Sequence, residues 1–209
     1  MAVASAKPVR RRTQAERSEE MRSRLKSAAF EVVASGGLDA LRIATVADYA
    51  GVSQGAVLHH FPNKNAITLG AVEHALELAN AESAVWEFST DAPERLLEAM
   101  ASEFRAFFFS DRFWVAAGIT IQHNRDADFS RELAGRVAEL REPIYAAWAE
   151  RLESAGWPPH TALKLVRSCA GLLSGAAIRR LWSPPDTLTD EILEDWVRYG
   201  LTMRSRQQR

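Results

Sequence analysis

The amino-acid sequence predicts an all-α fold of about nine helices. Three observations carry this prediction. Apolar residues recur at three- and four-residue spacing along most of the 209-residue chain, as they do on the buried face of a helix. No stretch shows the alternation that a half-buried strand requires, and glycines and prolines interrupt the helical pattern where helices begin and end.

Composition is typical of a globular protein in a reducing compartment. Hydrophobic residues make up 47% of the chain and charged residues 25%, enough for one large domain or two small ones. The single cysteine, Cys169, excludes an intrachain disulfide. No apolar run approaches the roughly 20 residues that span a bilayer, and the first 20 residues lack the apolar segment of a signal peptide. We therefore expect a cytoplasmic protein.

The net charge of -1 conceals an asymmetry along the chain. Residues 1–64 contain ten Lys and Arg against six Asp and Glu, whereas residues 65–209 contain sixteen against twenty-one. A basic segment favours a polyanionic partner, because lysine and arginine neutralise nucleic-acid phosphates. A solvated basic tail explains the charge equally well, so charge alone does not decide between the two.

The N-terminal unit begins with a basic arm and one helix. Residues 1–15 are small, polar and basic, and we expect them to be disordered. Its arginine run at 10–12 suits a DNA minor groove, with a tail that makes no contacts as the alternative. Apolar residues from Met21 to Val33 predict the first helix, which should end at Gly36–Gly37.

Two short apolar helices follow, at about residues 43–50 and 54–61, separated by Gly51, Val52 and Ser53. Neither helix can bury much surface alone, but packed on the first helix they form a unit of the helix-turn-helix type. Gly51 suits a backbone position with positive φ, and Ser53 is placed to cap the next helix.

The rest of the chain is divided by helix-boundary signals. Pro62 and Asn63 interrupt the chain, and a long helix is predicted from Lys64 to about residue 88. Prolines and glycines at 93, 156, 158–159 and 184–185 then separate the remaining helices.

A continuous stretch of the N-terminal unit resembles a known family. The segments "AAFEVVASGGLDA" and "LRIATVADYAGVSQGAVLHHFPNKNAI" are similar to the N-terminal signature of the TetR family of bacterial repressors, over about residues 20–70. The resemblance implies that residues 16–63 form a helix-turn-helix DNA-binding domain and that residues 64–209 form an effector-binding and dimerisation domain. Beyond about residue 70 the resemblance is one of length and helical style.

By this resemblance the second short helix is the recognition helix. Its chemistry agrees, because a glutamine amide can bond adenine at two atoms, an alanine can touch a thymine methyl, and a glycine permits close backbone approach. The predicted DNA-contacting residues are Arg42, Thr45, Ser53, Gln54, Gly55, Ala56, His59, His60 and Lys64.

Two departures from the family pattern alter these contacts. Leu58 stands where a tyrosine commonly reaches phosphate, and Arg42 stands where a threonine usually starts the first short helix. The adjacent His59 and His60 point about 100° apart around a helix, whereas a helical metal pair has i, i+4 spacing. Contact with phosphate or a base is therefore favoured over metal binding, with a solvated His59 as the alternative.

The last two helices carry more apolar surface than one stripe requires. A C2 dimer through a four-helix interface buries such a surface, and packing within one chain is the alternative. A dimer sets two recognition helices about one DNA turn apart, or a multiple of it. The predicted interface residues are Gly171, Ser174, Gly175, Ile178, Leu193, Trp196 and Val197.

Aromatic residues concentrate in the middle of the chain, where the resemblance places an effector cavity among helices 4 to 8. We expect a mostly apolar pocket with few polar anchors, although core packing is the default role of any single aromatic residue. The candidate pocket residues are Phe104, Phe107, Phe108, Trp114, Gln122, His123, Tyr145, Trp148, Arg167 and Cys169.

The sequence thus predicts a ligand-responsive transcriptional regulator without a cofactor or metal. We expect a homodimeric repressor that binds a pseudo-palindromic DNA operator and is released by a small, mostly apolar effector. A DNA-binding activator or architectural factor without a ligand switch is the second interpretation. An enzyme is disfavoured, because no nucleophile–base ordering, phosphate-binding glycine loop or metal-ligand cluster stands out.

Overall fold

A computed structural model describes residues 13–85, 92–184 and 187–205. Within these ranges the chain forms nine α-helices and a 3-10 turn, with no strand, which confirms the predicted all-α fold. The helices are α1 (Gln14–Gly36), α2 (Ile43–Ala50), α3 (Gln54–His60), α4 (Lys64–Val85), α5 (Pro93–Phe108), α6 (Asp111–Gln122), α7 (Ala127–Ser154), α8 (Pro159–Arg179) and α9 (Leu188–Ser205).

Helix α1 begins two residues earlier than the sequence predicts. Thr13 and Glu16 form a reciprocal capping box, in which the Thr13 N–H donates to the Glu16 carboxylate at 2.7 Å and the Glu16 N–H donates to Thr13 Oγ1 at 3.2 Å. This cap satisfies two N–H groups of the first turn. Residues 14 and 15 therefore belong to the helix rather than the arm, whereas the arginine run at 10–12 lies outside the described residues.

The first hydrophobic core joins the three N-terminal helices to later parts of the chain. Its fully buried residues include Leu25 of α1, Val46 of α2 and Val57 of α3. Helix α4 buries five residues in the same cluster, and α6 adds Val115 and Ile119. The α4 residues are Ile67, Ala71, Val72, Ala75 and Leu76. The N-terminal unit thus shares its core with α4 and α6, because two helices of eight and seven residues cannot bury enough surface alone.

The second hydrophobic core lies among α5, α7, α8 and α9. Two tryptophans connect these helices by hydrogen bonds: Trp157 Nε1 donates to the Gly200 carbonyl at 2.8 Å, and Trp196 Nε1 donates to Ser168 Oγ at 2.9 Å. Phe107 packs against both cores. Phe107 therefore links the position of α5 to the packing of the core that supports α3.

A buried ion-pair network connects α1, α4 and α7. Lys26 of α1 is 6% exposed and lies 3.4 Å from Glu73 and 2.6 Å from Glu77, both on α4. Glu73 also accepts from Arg136 Nε of α7 at 2.7 Å. The network fixes the position of α1 relative to the two long helices that follow it.

One described helix, α8, is long and apolar enough by composition to cross a membrane, and 39% of its most apolar window is buried. Its inner face places Leu165, Val166, Cys169 and Leu173 in the second core. Packing in the core of the protein accounts for the hydropathy of this helix.

Candidate nucleic-acid interface

The turn between α2 and α3 has the geometry that its residues predict. Gly51 adopts the left-handed conformation with φ of 64°, which glycine enters without a steric penalty. The Val52 N–H donates to the Ala47 carbonyl at 3.0 Å and so completes the end of α2. Ser53 caps α3, since its hydroxyl accepts from the Ala56 N–H at 3.2 Å. The predicted roles of Gly51 and Ser53 are confirmed.

Helix α3 is held by one apolar face and presents the opposite face to solvent. Val57 and Phe61 are 0% and 1% exposed and lie in the first core. The predicted contact residues lie on the other side. Ser53, Gln54, Gly55 and His59 are exposed, and Ala56 and His60 are partly exposed. We call these six residues the recognition surface.

Two arginines of α1 bind the ends of α2 and α3. The Arg24 guanidinium donates to the carbonyl of Ala50, the last residue of α2. Arg22 Nη1 donates to the carbonyl of His60, the last residue of α3, at 3.1 Å, and its guanidinium lies 4.6 Å from the centre of the Phe61 ring. Helix C-termini leave carbonyl groups without intrahelical donors, and cations are favourable there. We call Arg22 and Arg24 the arginine clamp.

The arginine clamp was not predicted from the sequence. Both arginines belong to the basic segment of residues 1–64, whereas in the structure both guanidiniums donate to backbone carbonyls of the protein itself. The available signal was the position of both arginines on the helix that must pack against the helix-turn-helix.

The residues that flank the recognition surface lie around it on α2 and α4. Lys64 is exposed at the start of α4, where Asn63 Oδ1 accepts from the Ala66 N–H at 2.8 Å. Arg42 is exposed at the N-cap of α2 and makes no capping side-chain bond, as its departure from threonine predicts. Thr45 is partly buried in the first turn of α2.

Two further side chains are exposed near these residues. Leu58 is 45% exposed, and Tyr49 of α2 is 60% exposed. The sequence analysis did not propose Tyr49, although the inward positions of Val46, Ala47 and Ala50 already imply that it faces outward. Its phenol is a hydrogen-bond donor on the side of α2 away from the core.

The two histidines contact each other at the end of α3, with ring centroids 5.1 Å apart and an interplanar angle of 79°. Burial, then the neighbouring charges of His59 and Arg22, lower the pKa of His60 below its ordinary value of 6.5. The lowered pKa favours the neutral form of His60. Among the described residues, no group of three or more His, Cys, Asp or Glu side chains is placed to hold a metal ion.

Comparison with known proteins decides the family of this helix-turn-helix. Residues 25–70 match the family described as bacterial regulatory proteins, tetR family. Over 173 residues the chain is 30% identical to the HTH-type transcriptional regulator CymR of Pseudomonas putida, covering 83% of this chain and 85% of CymR. The chain belongs to the TetR family. It is a DNA-binding transcriptional regulator, as the sequence predicts.

Solved structures show that the TetR-family fold extends over both cores. The crystal structure of a transcriptional regulator from Rhodococcus sp. Rha1 is 26% identical with a TM-score of 0.64, covering 88% of this chain and 95% of that chain. The multidrug binding protein EbrR, crystallised in complex with proflavin, is 25% identical with a TM-score of 0.57, covering 84% of this chain and 99% of that chain. The similarity therefore includes the C-terminal helices, where the sequence shows no family motif.

The structure brings most of the predicted pocket aromatics together. Phe104 lies 5.6 Å from the Tyr145 ring and 6.5 Å from the Phe108 ring, measured between centroids. Phe107 contacts Phe108 at 5.1 Å and Phe113 at 6.0 Å. Trp148 and Trp114 border this cluster in the second core. The rings pack against one another at the centre of the C-terminal part.

The predicted polar anchors divide between this cluster and other places. Gln122 is exposed and, with Trp114, lines a separate cleft of about 180 Å³ between α1 and α6. Arg167 is half-exposed and pairs with Glu142, and His123 is partly exposed, with Nδ1 3.0 Å from the Ile119 carbonyl. Cys169 is fully buried, and burial raises the pKa of its thiol to about 12. The Arg167 guanidinium lies 4.8 Å from the centre of the Tyr145 ring, and Cys169 belongs to the same core as Phe104 and Trp148. Arg167 and Cys169 therefore lie beside the aromatic cluster, and Gln122 lines the separate cleft.

Two charged side chains that the sequence analysis did not propose also lie beside the aromatic cluster. Glu103 of α5 is 7% exposed and accepts from Trp148 Nε1 at 2.8 Å and from the Ser83 hydroxyl. Arg141 of α7 is 5% exposed, and its guanidinium lies 4.2 Å from the centre of the Phe107 ring. The signal was present in the sequence, since each charge interrupts an apolar helical stripe.

The predicted dimer residues divide into two groups. Gly171 and Gly175 are exposed on α8, with Ser174 and Ile178 partly exposed beside them. On α9, Leu193, Trp196 and Val197 are 9%, 8% and 7% exposed and lie in the second core of the single chain. Other apolar side chains are exposed at the ends of α8 and α9. They are Leu181, Trp182, Leu188, Ile192 and Tyr199.

Proposed function

We propose that this protein is a cytoplasmic repressor without catalytic activity, which binds a pseudo-palindromic operator as a homodimer and is released by a small, mostly apolar effector. The observation that carries the proposal is the recognition surface: six exposed or partly exposed residues on a helix whose opposite face is fixed in the first core by Val57 and Phe61. A helix of this size, held rigidly and uncovered, fits the major groove.

The proposed DNA-binding domain is residues 16–63 with the start of α4. Gln54 is assigned to a base edge, because its exposed amide can donate and accept at the same time. His59, His60 and Lys64 are assigned to phosphates, as is the N-terminus of α4, where free N–H groups favour anions. Tyr49 is proposed to supply a phosphate hydrogen bond that Leu58 cannot make.

Arg42 and Thr45 are assigned to the same DNA backbone from the first turn of α2. The exposed guanidinium of Arg42 can reach a phosphate without losing an internal bond, since it makes no cap contact. The remaining recognition-surface residues, Ser53, Gly55 and Ala56, are small and permit close approach of the backbone to the groove.

The proposed dimer interface is the exposed face formed by α8 and α9. Gly171, Ser174 and Gly175 give α8 a low surface that permits close helix approach, and Trp182 and Ile192, 70% and 41% exposed, are large apolar side chains left uncovered in the single chain. Gly175 and Ile192 line one groove between the two helices, and exposed large apolar side chains beside such a groove favour an association site. A C2 dimer buries the same patch on both chains.

The proposed effector domain is residues 64–209. EbrR was crystallised with proflavin, an aromatic ligand, and the centre of this chain's C-terminal part is a cluster of aromatic rings. Helix α4 connects that region to DNA, since Lys64 begins it and Glu73 on the same helix pairs with Lys26 and Arg136. A ligand that displaces α4 changes the position of the recognition surface, and it acts only through its different affinity for the two states.

A mobility-shift titration on the DNA upstream of the protein's own gene, at stated salt concentrations, tests the proposal. Gln54→Ala should change the preferred sequence, with about 1–3 kcal/mol lost at the base pair it contacts. Lys64→Ala should weaken binding to all sequences and lower the slope of log K against log salt by about 1. Arg131→Ala, which removes an exposed arginine of α7, is the control for loss of charge and should bind like the parent.

Parental behaviour of both Gln54→Ala and Lys64→Ala would contradict the contact assignment. Absence of a shift with the parent on any fragment of that DNA would contradict operator binding there. Reporter expression that falls when the gene for this protein is deleted would identify an activator instead of a repressor.

A further inference from the structure

A small interior cavity lies between α4, α5 and α7, with a volume of about 20 Å³. Its walls include Ser83 of α4, Glu103 and Phe107 of α5, and Arg141 of α7. Two opposite charges therefore border one cavity, and no ion pair joins them within the described part of the chain. Each charge has a distinct set of partners.

Arg141 is incompletely paired. Nη1 donates to Asn80 Oδ1, a neutral acceptor, at 3.2 Å, whereas Nε is buried with no hydrogen-bond partner among the described residues. No described carboxylate lies within ion-pair distance of this guanidinium, which is 95% buried. Burial of a cation without an anionic partner costs free energy. An anion bound beside Arg141 would therefore be stabilised.

The aromatic neighbours of Arg141 define the shape of its partner. The guanidinium lies over the Phe107 ring at 4.2 Å and near the Tyr145 ring at 5.4 Å. Stacking uses the face of the guanidinium and leaves its edge, where the N–H groups point, for hydrogen bonds. A planar carboxylate bonds such an edge at two atoms.

Glu103 limits how much negative charge the cavity accepts. Both of its oxygens are engaged by neutral donors, Ser83 and Trp148 Nε1, and no described cation lies within ion-pair distance of it. A ligand with two anionic groups would bring the second near this buried carboxylate, where like charges repel strongly.

We propose that the effector is a small monocarboxylate with a planar, apolar body, and that Arg141 binds its carboxylate while Phe107 and Tyr145 contact the body. This inference rests on the ligand-responsive function proposed above and names the class of ligand. A cavity of about 20 Å³ holds little more than one water molecule. The ligand therefore enters only if α4, α5 and α7 separate, which couples its binding to the helix that begins at Lys64.

Calorimetric titration of the purified, DNA-free protein tests the inference. The probes are benzoate and 2-naphthoate, each compared with its neutral amide. A buried hydrogen-bonded ion pair predicts that an acid binds at least about 10-fold more tightly than its amide. Arg141→Met should remove this preference, while Arg131→Met, the same substitution at an exposed site of the same helix, should retain it.

Glu103→Gln provides a second, independent variant. Loss of the buried negative charge should tighten binding of the acids by about 3- to 10-fold and leave binding of the amides unchanged, because only the anion is repelled by Glu103. This variant decides the question if Arg141→Met fails to fold, as judged by its circular dichroism. An unchanged acid affinity in Glu103→Gln would then overturn the inference.

Three other results would also overturn it. The first is equal affinity for acids and amides, and the second is no binding of either acid at millimolar concentration. The third is an acid preference that persists in folded Arg141→Met, which would mean that Arg141 does not bind the carboxylate. Operator release is measured separately by mobility shift. If the acids bind but the protein stays on the operator, the proposed release by ligand is refuted and the proposed ligand class stands. If the protein binds the operator but does not bind the acids, only the proposed ligand class is refuted.

Discussion

Truncation of Val57 should selectively weaken the attachment of the recognition helix. Val57 is fully buried, and it is the only buried residue within α3. Valine to alanine removes two methyl groups, worth about 1.6 kcal/mol of transfer free energy, and the cavity that remains raises the expected loss to about 2–3 kcal/mol. No second buried side chain of α3 can compensate.

Leu58→Ala is the matched control, because Leu58 is the next residue and is 45% exposed. We expect it to change the free energy of unfolding by less than about 0.5 kcal/mol. Both variants are unfolded in urea, followed by circular dichroism, at one protein concentration, since the stability of the proposed dimer depends on concentration. Equal losses in the two variants would refute the argument that α3 is held through this one face.

Three further outcomes are expected from urea unfolding of single variants. Gly51→Ala should lower the free energy of unfolding by about 1–2 kcal/mol, because residue 51 has a positive φ. Gly118→Ala, where an added Cβ meets nothing within 4 Å, should raise it by up to about 1 kcal/mol. The opposite order would contradict the turn geometry. Lys26→Met should lower the free energy of unfolding by about 2–3 kcal/mol. This is less than the usual loss for breaking a buried ion pair, because Glu73 keeps its partner Arg136. An unchanged free energy of unfolding would show that the network does not stabilise the fold. Burial, the largest cause, lowers the pKa of His74 below 6.5, so the unfolded chain binds more protons and stability should fall as the pH drops below 6.5; His74→Gln should flatten that decline, and a parallel decline would exclude His74 as its source.

The helix-turn-helix was predictable because its signals act over a few residues. Gly51 and Ser53 each specify a backbone conformation or a cap within three positions of themselves. Val57 and Phe61 are recognisable as inward-facing from helical spacing alone. The same reasoning assigned the exposed side of α3 without knowledge of what covers the other side.

Helical spacing places Glu103 and Arg141 on apolar stripes, but spacing alone does not predict that these two charges are buried. Glu103 and Arg141 belong to residue types that are almost always exposed, and their burial depends on helices distant in sequence. Trp148, which donates to Glu103, is 45 positions away. Likewise, the periodicity of α6 shows that Val115 and Ile119 are buried, but not that they join the core beneath α3.

The arginine clamp has a consequence for how release from DNA can occur. Side chains of α1 hold the carbonyl ends of both α2 and α3. The three helices should therefore rotate as one rigid unit. In the proposed dimer, induction would then change the distance between the two recognition surfaces, while the base preference of each one stays the same. The affinity for an isolated half-operator should be the same with and without inducer. Only the affinity for the complete operator, with both half-sites, should fall.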